Sequence, residues 1–401
     1  MPTTAQFLEE VECYSAHNYH PLPVVLTKGE GCWVWDVEGK KYLDMLAAYS
    51  ALNQGHQHPK IIGALKAQAD RLTLTSRAFH NDIMGPFLRE LCEMTGFEQA
   101  LLMNSGAEAV ETAIKAARRW GYRVKGVAPD TAEVVCCANN FHGRTVTVVS
   151  FSSEPAYRDG FGPFTPGFRL IPYGDIDALA AAVTDKTVAF LVEPIQGEGG
   201  VVIPPDRFLQ KARALCDRQK LLLMTDEIQT GLGRTGRLFA YEYENIEPDI
   251  LIVGKALGGG VYPVSGILAS RAIMDAAFVP GNHGSTFGGN PLACAVGRAA
   301  LRVIREEKLV ERSAELGRYF LGELQKVQAP CIADVRGRGL MIGVEIKKSF
   351  GTARPYCERL KDAGMLCKET HDQVIRFSPP LVIDKETINW ALERIVPVLQ
   401  G

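Results

Sequence analysis

Four short stretches in the middle of the chain are apolar without interruption: EVVCCA (133–138), VAFLVEP (188–194), LLLMTDE (221–227) and DILIVG (249–254). Continuous rather than alternating apolar runs, bounded by polar, Gly or Pro residues, predict strands buried on both faces. Between them the apolar positions recur at helical spacing. In RFLQKARALCDRQK one face carries Phe208, Leu209, Ala212, Leu215 and Cys216. In AVETAIKAARRW it carries Val110, Ala113, Ile114 and Ala117. Strands alternating with helices imply an α/β fold with a mainly parallel central sheet. Such sheets bind ligands outside the carboxyl ends of their strands.

The pattern changes near residue 290. PLACAVGRAALRVIREEKL predicts a long helix leading away, and the remainder mixes helices with GLMIGVEI (339–346) and QVIRFSPPL (373–381). A length of 401 residues exceeds one ordinary hydrophobic core. The expected division is a large ligand-binding domain over 41–290 and a smaller α+β domain over 291–401. Residues 1–40 form a segment assigned to the smaller one. The aromatic stretch GCWVWDVEGKKYLDM predicts a hairpin turning at Glu38-Gly39.

Composition adds exclusions. Apolar residues make up 46% and charged residues 22%, as in a globular protein rather than a disordered one. A net charge of −2 gives no electrostatic reason to expect nucleic acid or an anionic membrane as partner. The ten cysteines show no C-x-x-C spacing and lie mostly in apolar runs, so they read as buried free thiols and point to a reducing cytoplasm. MPTTAQFLEEVECY has no basic or apolar leader character, and no apolar run approaches the ~20 residues that span a bilayer.

Three predicted strands end in ionisable residues: Glu193, Asp226-Glu227 and Lys255. A lysine closing an apolar strand is unusual, because Lys is rarely buried. NSGAEAVETAIKAARR adds a helix start: Ser105 and Glu108 have capping-box spacing, and Gly106 lets a ligand approach the backbone. An ordinary N-cap explains that stretch by itself. The unpaired N–H groups and dipole of such a helix also make a phosphate cup. GKALGGG is not a nucleotide loop, since most of its glycines follow Lys255 and Ala256 stands where magnesium would need Ser or Thr. GLGRTG (231–236) lacks the order of a dinucleotide fingerprint. A phosphate cup, an aspartate and a lysine together suit pyridoxal 5'-phosphate. Its aldehyde forms a Schiff base with lysine, and a carboxylate keeps its ring nitrogen protonated. Lys255 then supplies the amine, Asp226 the carboxylate, and Ser105, Gly106 and Ala107 the cup.

From AHNYHPLPVVL (16–26) to IRFSPPLVI (375–383) the chain resembles the fold-type I, class III aminotransferases. The markers are LNQGHQHP, LTLTSRAF, MNSGAEA, NFHGRT, VEPIQGEGGV, TDEIQTGLGRTG, GKALGGGVYPVS, HGSTFGGNPLAC and RGRGLMIGVEI. HNYHPLP and AAYSALNQGH are similar to the branch acting on ornithine. The resemblance implies that Asp226 meets the pyridine nitrogen and Gln229 the ring hydroxyl, and that Phe141 stacks on the ring. It implies a homodimer in which Ser285 and Thr286 reach the phosphate of the neighbouring subunit's cofactor. Tyr19 and Arg144 would hold the α-carboxylate of L-ornithine, Tyr49 would line its side-chain pocket, and Arg376 would take the α-carboxylate of glutamate or 2-oxoglutarate. Glu198 would neutralise Arg376 while ornithine is bound, because a free guanidinium matches carboxylates bidentately. Family members acting on N-acetylornithine or γ-aminobutyrate are the rivals, with a binding protein that has lost catalysis as a third; Tyr19 and Tyr49 favour ornithine, and Lys255, Asp226, Arg144 and Arg376 together favour an enzyme. Glu193 and Glu227 read as supporting groups, and His142, beside the stacked ring, as a packing difference, with tuning of substrate fit as the alternative. His56 and His58 lack a third ligand at metal spacing, so no metal is expected.

Overall fold

The computed structural model describes residues 3–401. After a helix over Thr4–Tyr14 come three strands, β1 (Leu26–Glu30), β2 (Trp33–Asp36) and β3 (Lys41–Asp44), each antiparallel to the next. The β2–β3 turn is the expected hairpin. Gly39 takes a φ of +86°, and Asp36 Oδ1 accepts the N–H groups of Glu38 and Lys40 at 3.0 and 2.8 Å.

The central sheet follows, with β4 (Gln99–Met103), β5 (Glu133–Cys137), β6 (Phe168–Ile171), β7 (Thr187–Val192), β8 (Leu222–Asp226), β9 (Ile250–Val253) and β10 (Ser265–Ala269). Their spatial order is β4-β10-β9-β8-β7-β5-β6. The run β9-β8-β7-β5-β6 is parallel, and β10 lies antiparallel to both β9 and β4. The four apolar runs are thus four of the five inner strands, and β7, β8 and β9 are buried at every position. The period-2 alternation of strand side chains divides the core between two faces. Leu222, Met224, Ile250, Ile252 and Leu191 pack under helix 106–120 through its Val110, Ala113, Ile114 and Ala117. Leu223, Leu251, Val253, Phe190 and Val192 face the opposite layer, which includes helix 208–219 and helix 291–306. The strands β4, β6 and β10 were not expected from the sequence. They are partly exposed, or follow a Gly-rich stretch, so no uninterrupted apolar run marks them.

A second antiparallel sheet comprises β11 (Ile332–Arg338), β12 (Met341–Ile346), β14 (Lys368–Thr370) and β15 (Val374–Phe377), in the order β11-β12-β15-β14. The short β13 (Met365–Leu366) leaves that sheet and pairs in parallel with β3. Trp33 and Trp390 meet edge to face at 5.1 Å, joining the N-terminal hairpin to the C-terminal helix. All ten cysteines are free and eight are buried. Among the described residues no helix is long and apolar enough to cross a membrane.

Candidate active site

The carboxyl ends of β7, β8 and β9 open on a cavity of about 190 Å³ lined by Glu193, Asp226 and Lys255, with Gly106, Ala107 and Phe141 among its other walls. Lys255 follows Gly254 into a single 3-10 turn, Lys255–Gly258, and takes a left-handed φ of +43°. That conformation costs an L-residue about 1–2 kcal/mol. Burial lowers the pKa of its ammonium, against the raising effect of Glu198, and Arg376 lowers it further. A lysine of depressed pKa offers a neutral amine, which is both nucleophile and base. The glycines beyond it have a packing reason. Gly259 and Gly260 have φ of +57° and +68°, and a Cβ on Gly260 would stand 2.2 Å from Leu52 Cδ2.

Asp226 is buried and fixed at both oxygens: Oδ1 accepts the N–H of Ile228 at 3.0 Å, and Oδ2 lies 2.7 Å from His142 Nδ1. Burial alone would lower the His142 pKa. The hydrogen bond and charge of Asp226, with Glu193, outweigh that and raise it. His142 is therefore no packing difference, as the sequence suggested, but the residue that orients Asp226. Its Nε2 is buried without a partner. Glu193 Oε2 accepts the N–H of Phe141 at 3.0 Å, tying the Phe141–His142 turn to the end of β7.

Glu227 does not join the cavity. Its N–H continues the ladder to Ile252 O at 3.0 Å, so alternation turns its side chain to the face opposite Asp226. There it accepts from the Thr230 hydroxyl and from Tyr241 N–H. Burial raises both Glu193 and Glu227 to about 7. Between an unfolded value near ~4.3 and that of the folded state, the native protein keeps protons that the unfolded chain has released. Stability therefore falls as pH rises through this window, by up to about 1.4 kcal/mol per pH unit for each group. Glu227→Gln should flatten the dependence of the urea midpoint between pH 5 and 7. An unchanged slope would assign the effect elsewhere.

Helix 106–120 begins at the cavity. Ser105 caps it: its hydroxyl accepts Glu108 N–H at 3.3 Å, and Glu108 Oε2 accepts Ser105 N–H at 2.7 Å. The hydroxyl is thus engaged in the capping box, and the N–H groups of Gly106 and Ala107 remain for a ligand at the positive end of the dipole. Gly143, at φ +125°, closes the loop against them: a Cβ there would lie 2.9 Å from Ala107 Cβ. The walls fit pyridoxal phosphate, with helical N–H donors at one end, an oriented carboxylate in the floor and an amine of lowered pKa.

Beside the cavity, Arg376 on β15 is 1% exposed and pairs with Glu198, Nη1 to Oε1 at 2.8 Å. Gln229 joins both: its Oε1 accepts from Arg376 Nη1 at 3.0 Å, and its Nε2 donates to Glu198 at 3.3 Å. Burial pushes the Glu198 carboxyl up, but the Arg376 charge and hydrogen bond hold it below its ordinary value. Arg376 Nε and Nη2 are buried without acceptors. Its guanidinium lies 4.8 Å from the centre of the Tyr49 ring. Ala47, Ala48, Tyr49 and Ser50 all have positive φ, from +46° to +73°, a left-handed turn without glycine that turns Tyr49 inward. Arg144 is exposed and stacks 4.0 Å above Tyr157. Tyr19 is 71% exposed, and burial raises the hydroxyls of Tyr49 and Tyr157 above their ordinary value. Tyr157 was missed from the sequence because SSEPAYRDGF has no recognisable spacing. Ser285 and Thr286 stand apart from this cavity: Ser285 Oγ accepts from Asn104 at 2.9 Å, and Thr286 is exposed.

The class-III aminotransferase family matches residues 14–399 of the chain. The chain is 61% identical to the ornithine aminotransferase of Geobacillus sp. (strain WCH70), over 100% of both. It is 60% identical to that of Bacillus subtilis (strain 168), over 99% of this chain and 98% of the other. Among solved structures, ornithine aminotransferase from Toxoplasma gondii ME49 superposes with a TM-score of 0.98 at 48% identity, covering 100% of this chain and 95% of that one. Acetylornithine aminotransferase from Elizabethkingia anophelis superposes with a TM-score of 0.90 at 47% identity, covering 100% and 99%.

Proposed function

The chain belongs to the class-III aminotransferases, and from that premise we propose that it transfers the δ-amino group of L-ornithine to 2-oxoglutarate. The products are L-glutamate and glutamate 5-semialdehyde, which cyclises to pyrroline-5-carboxylate. The observation that carries the substrate is the Glu198–Arg376 pair against Tyr49. One site must take ornithine by its terminal amine and then glutamate by its α-amine. With Arg376 masked, no carboxylate is drawn close to the reacting centre, and the distal amine is presented. With Glu198 swung aside, Arg376 binds the α-carboxylate of the second substrate.

Pyridoxal phosphate, when bound, supplies an aldehyde that takes up the amine and a ring that accepts an electron pair. Gly106 and Ala107 N–H, with Ser105, would hold its phosphate, Phe141 would stack on the ring, Gln229 would meet the ring hydroxyl, and Asp226 would keep the ring nitrogen protonated. His142 fixes the Asp226 oxygen that must not rotate. Lys255 Nζ, whose ammonium form burial disfavours, takes the proton from the carbon bearing the reacting amine and returns it on the other side of the reaction. Tyr19 and Arg144 hold the ornithine α-carboxylate at the far end. The protein acts as a homodimer in the cytoplasm, with Ser285 and Thr286 completing the neighbouring subunit's phosphate site; the exposed Thr286 and the 49% exposed Phe287 support that reading.

The test is a pair of half-reactions. Loaded enzyme is mixed with L-ornithine or with N-acetylornithine, and amino transfer is followed in a single turnover. Ornithine should react faster, with pyrroline-5-carboxylate as product. Faster reaction with N-acetylornithine would instead support the activity after which the Elizabethkingia relative is named.

A further inference from the structure

We propose that Arg234, in the stretch GLGRTG, is a positioning residue that holds Tyr49 and Arg376 in one register and so sets the affinity of the site for a dicarboxylate. The inference rests on the reading of Arg376 as the holder of the second substrate's carboxylate.

Arg234 is fully buried, and among the described residues no carboxylate pairs with it. Its guanidinium instead reaches three separate segments. Nη1 donates to Leu340 O at 2.9 Å and to Pro379 O at 2.6 Å, and Nη2 donates to Asn53 Oδ1 at 2.6 Å. Each acceptor belongs to a piece of chain that carries the site. Asn53 lies four residues beyond Tyr49, after the left-handed turn. Pro379 lies three residues beyond Arg376. Leu340 immediately precedes β12, whose Gly343 faces Arg376 across the ladder.

The backbone around these contacts is stitched in the same way. Ser378 N donates to Met45 O at 2.7 Å and Leu381 N to Asn53 O at 2.8 Å, so the segment carrying Tyr49 runs along the one that leaves β15. Asn53 Nδ2 returns to Leu232 O at 3.0 Å, which fixes the amide that Arg234 grips. Arg234 O takes the N–H of Leu340 at 3.1 Å and the Ser313 hydroxyl at 2.9 Å. The seam is closed tightly: a Cβ on Gly339 would lie 2.2 Å from the Thr235 carbonyl carbon.

An uncompensated cation is a poor space-filler. Burial pushes Arg234 down to about 9, Asp44 opposes this, and the like charge of Arg376 adds to it. Packing alone would be met at lower cost by an apolar side chain. What the guanidinium supplies is a planar fork of donors that fixes three acceptors at once. The 4.8 Å contact of Arg376 with Tyr49 joins two segments whose spacing this fork sets.

Glutarate, a dicarboxylate without an amine or keto group, serves as the probe. It is titrated calorimetrically into the loaded full-length enzyme and into Arg376→Met, Arg234→Met, Arg234→Lys and Asn53→Ala. Arg376→Met should weaken glutarate strongly; an unchanged Kd there removes the carboxylate reading and this proposal with it. With Arg376→Met weakened, Arg234→Met should raise Kd about ten-fold or more and Arg234→Lys by less, each at full stoichiometry. A merely structural Arg234 would lower the stoichiometry through unfolded protein while the folded fraction kept the wild-type Kd, and that result overturns the proposal. Should Arg234→Met not fold, Asn53→Ala decides. It cuts one arm of the fork and should raise Kd about three-fold or more; a wild-type Kd overturns the proposal.

Discussion

Lys255→Ala is expected to lose turnover by at least about four orders of magnitude while the protein stays folded. Lys255 is the amine of the central cavity, at the end of β9, and the reading gives it two tasks: to hold the cofactor covalently and to carry the proton. Alanine supplies neither. The backbone reason for the segment's shape survives the change, because Gly254, Gly259 and Gly260 still form the turn. Removing a cation whose burial depresses its pKa relieves a cost, so the unfolding midpoint should hold or rise. Lys255→Arg keeps the charge but not an amine that deprotonates, and should be as inactive. The measurement is single-turnover amino transfer from ornithine, beside thermal unfolding of the same sample. Transfer within about ten-fold of the wild-type rate would remove Lys255 from the reaction, since a general acid–base contributes about 10²–10⁴-fold.

The second large effect is on choice rather than rate. Glu198→Ala leaves Arg376 buried and unmasked. A buried charge-assisted hydrogen bond is worth about 1.5–3 kcal/mol, so the balance between substrates should shift by about ten- to a hundred-fold. The kcat/KM for glutamate should rise relative to that for ornithine, as Arg376 no longer has to be freed first. Ornithine itself should turn partly, drawn in by its own α-carboxylate and reacting at its α-amine. The products separate the cases: δ-transfer gives pyrroline-5-carboxylate, and α-transfer gives a 2-oxo acid. An unchanged ratio of specificities and a single product would show that Glu198 is a structural ion-pair partner.

Much of this site was legible in the chain. Four of the five inner strands announced themselves because strands buried on both faces have no polar alternation. Their carboxyl ends mark Glu193, Asp226 and Lys255, and capping-box spacing marks the helix start at Ser105. The resemblance paired Glu198 with Arg376, and the two lie 2.8 Å apart. Other features were illegible for definite reasons. Glu227 adjoins Asp226 in sequence, yet the period of two sends it to the far face, where Thr230 and Tyr241 take it. His142 acquires its meaning only from Asp226, 84 residues away in sequence. Tyr157 has no motif. Arg234 sits in a stretch that lacks the order of a dinucleotide fingerprint, and nothing local shows that its acceptors are Asn53, Leu340 and Pro379.

By itself the sequence determined the α/β alternation, the apolar strands, the caps, the family and the kinds of chemical group present. These follow from short-range periodicity and from residue type, which need no partner to be read. Only the tertiary structure decided which groups act together. Burial raised the pKa of Glu193 and Glu227 and lowered that of Lys255, His142 came to orient Asp226, and Arg234 joined the segments bearing Tyr49 and Arg376. Those properties depend on solvent exclusion and on distances between residues far apart in the chain, and both exist only after the segments have packed.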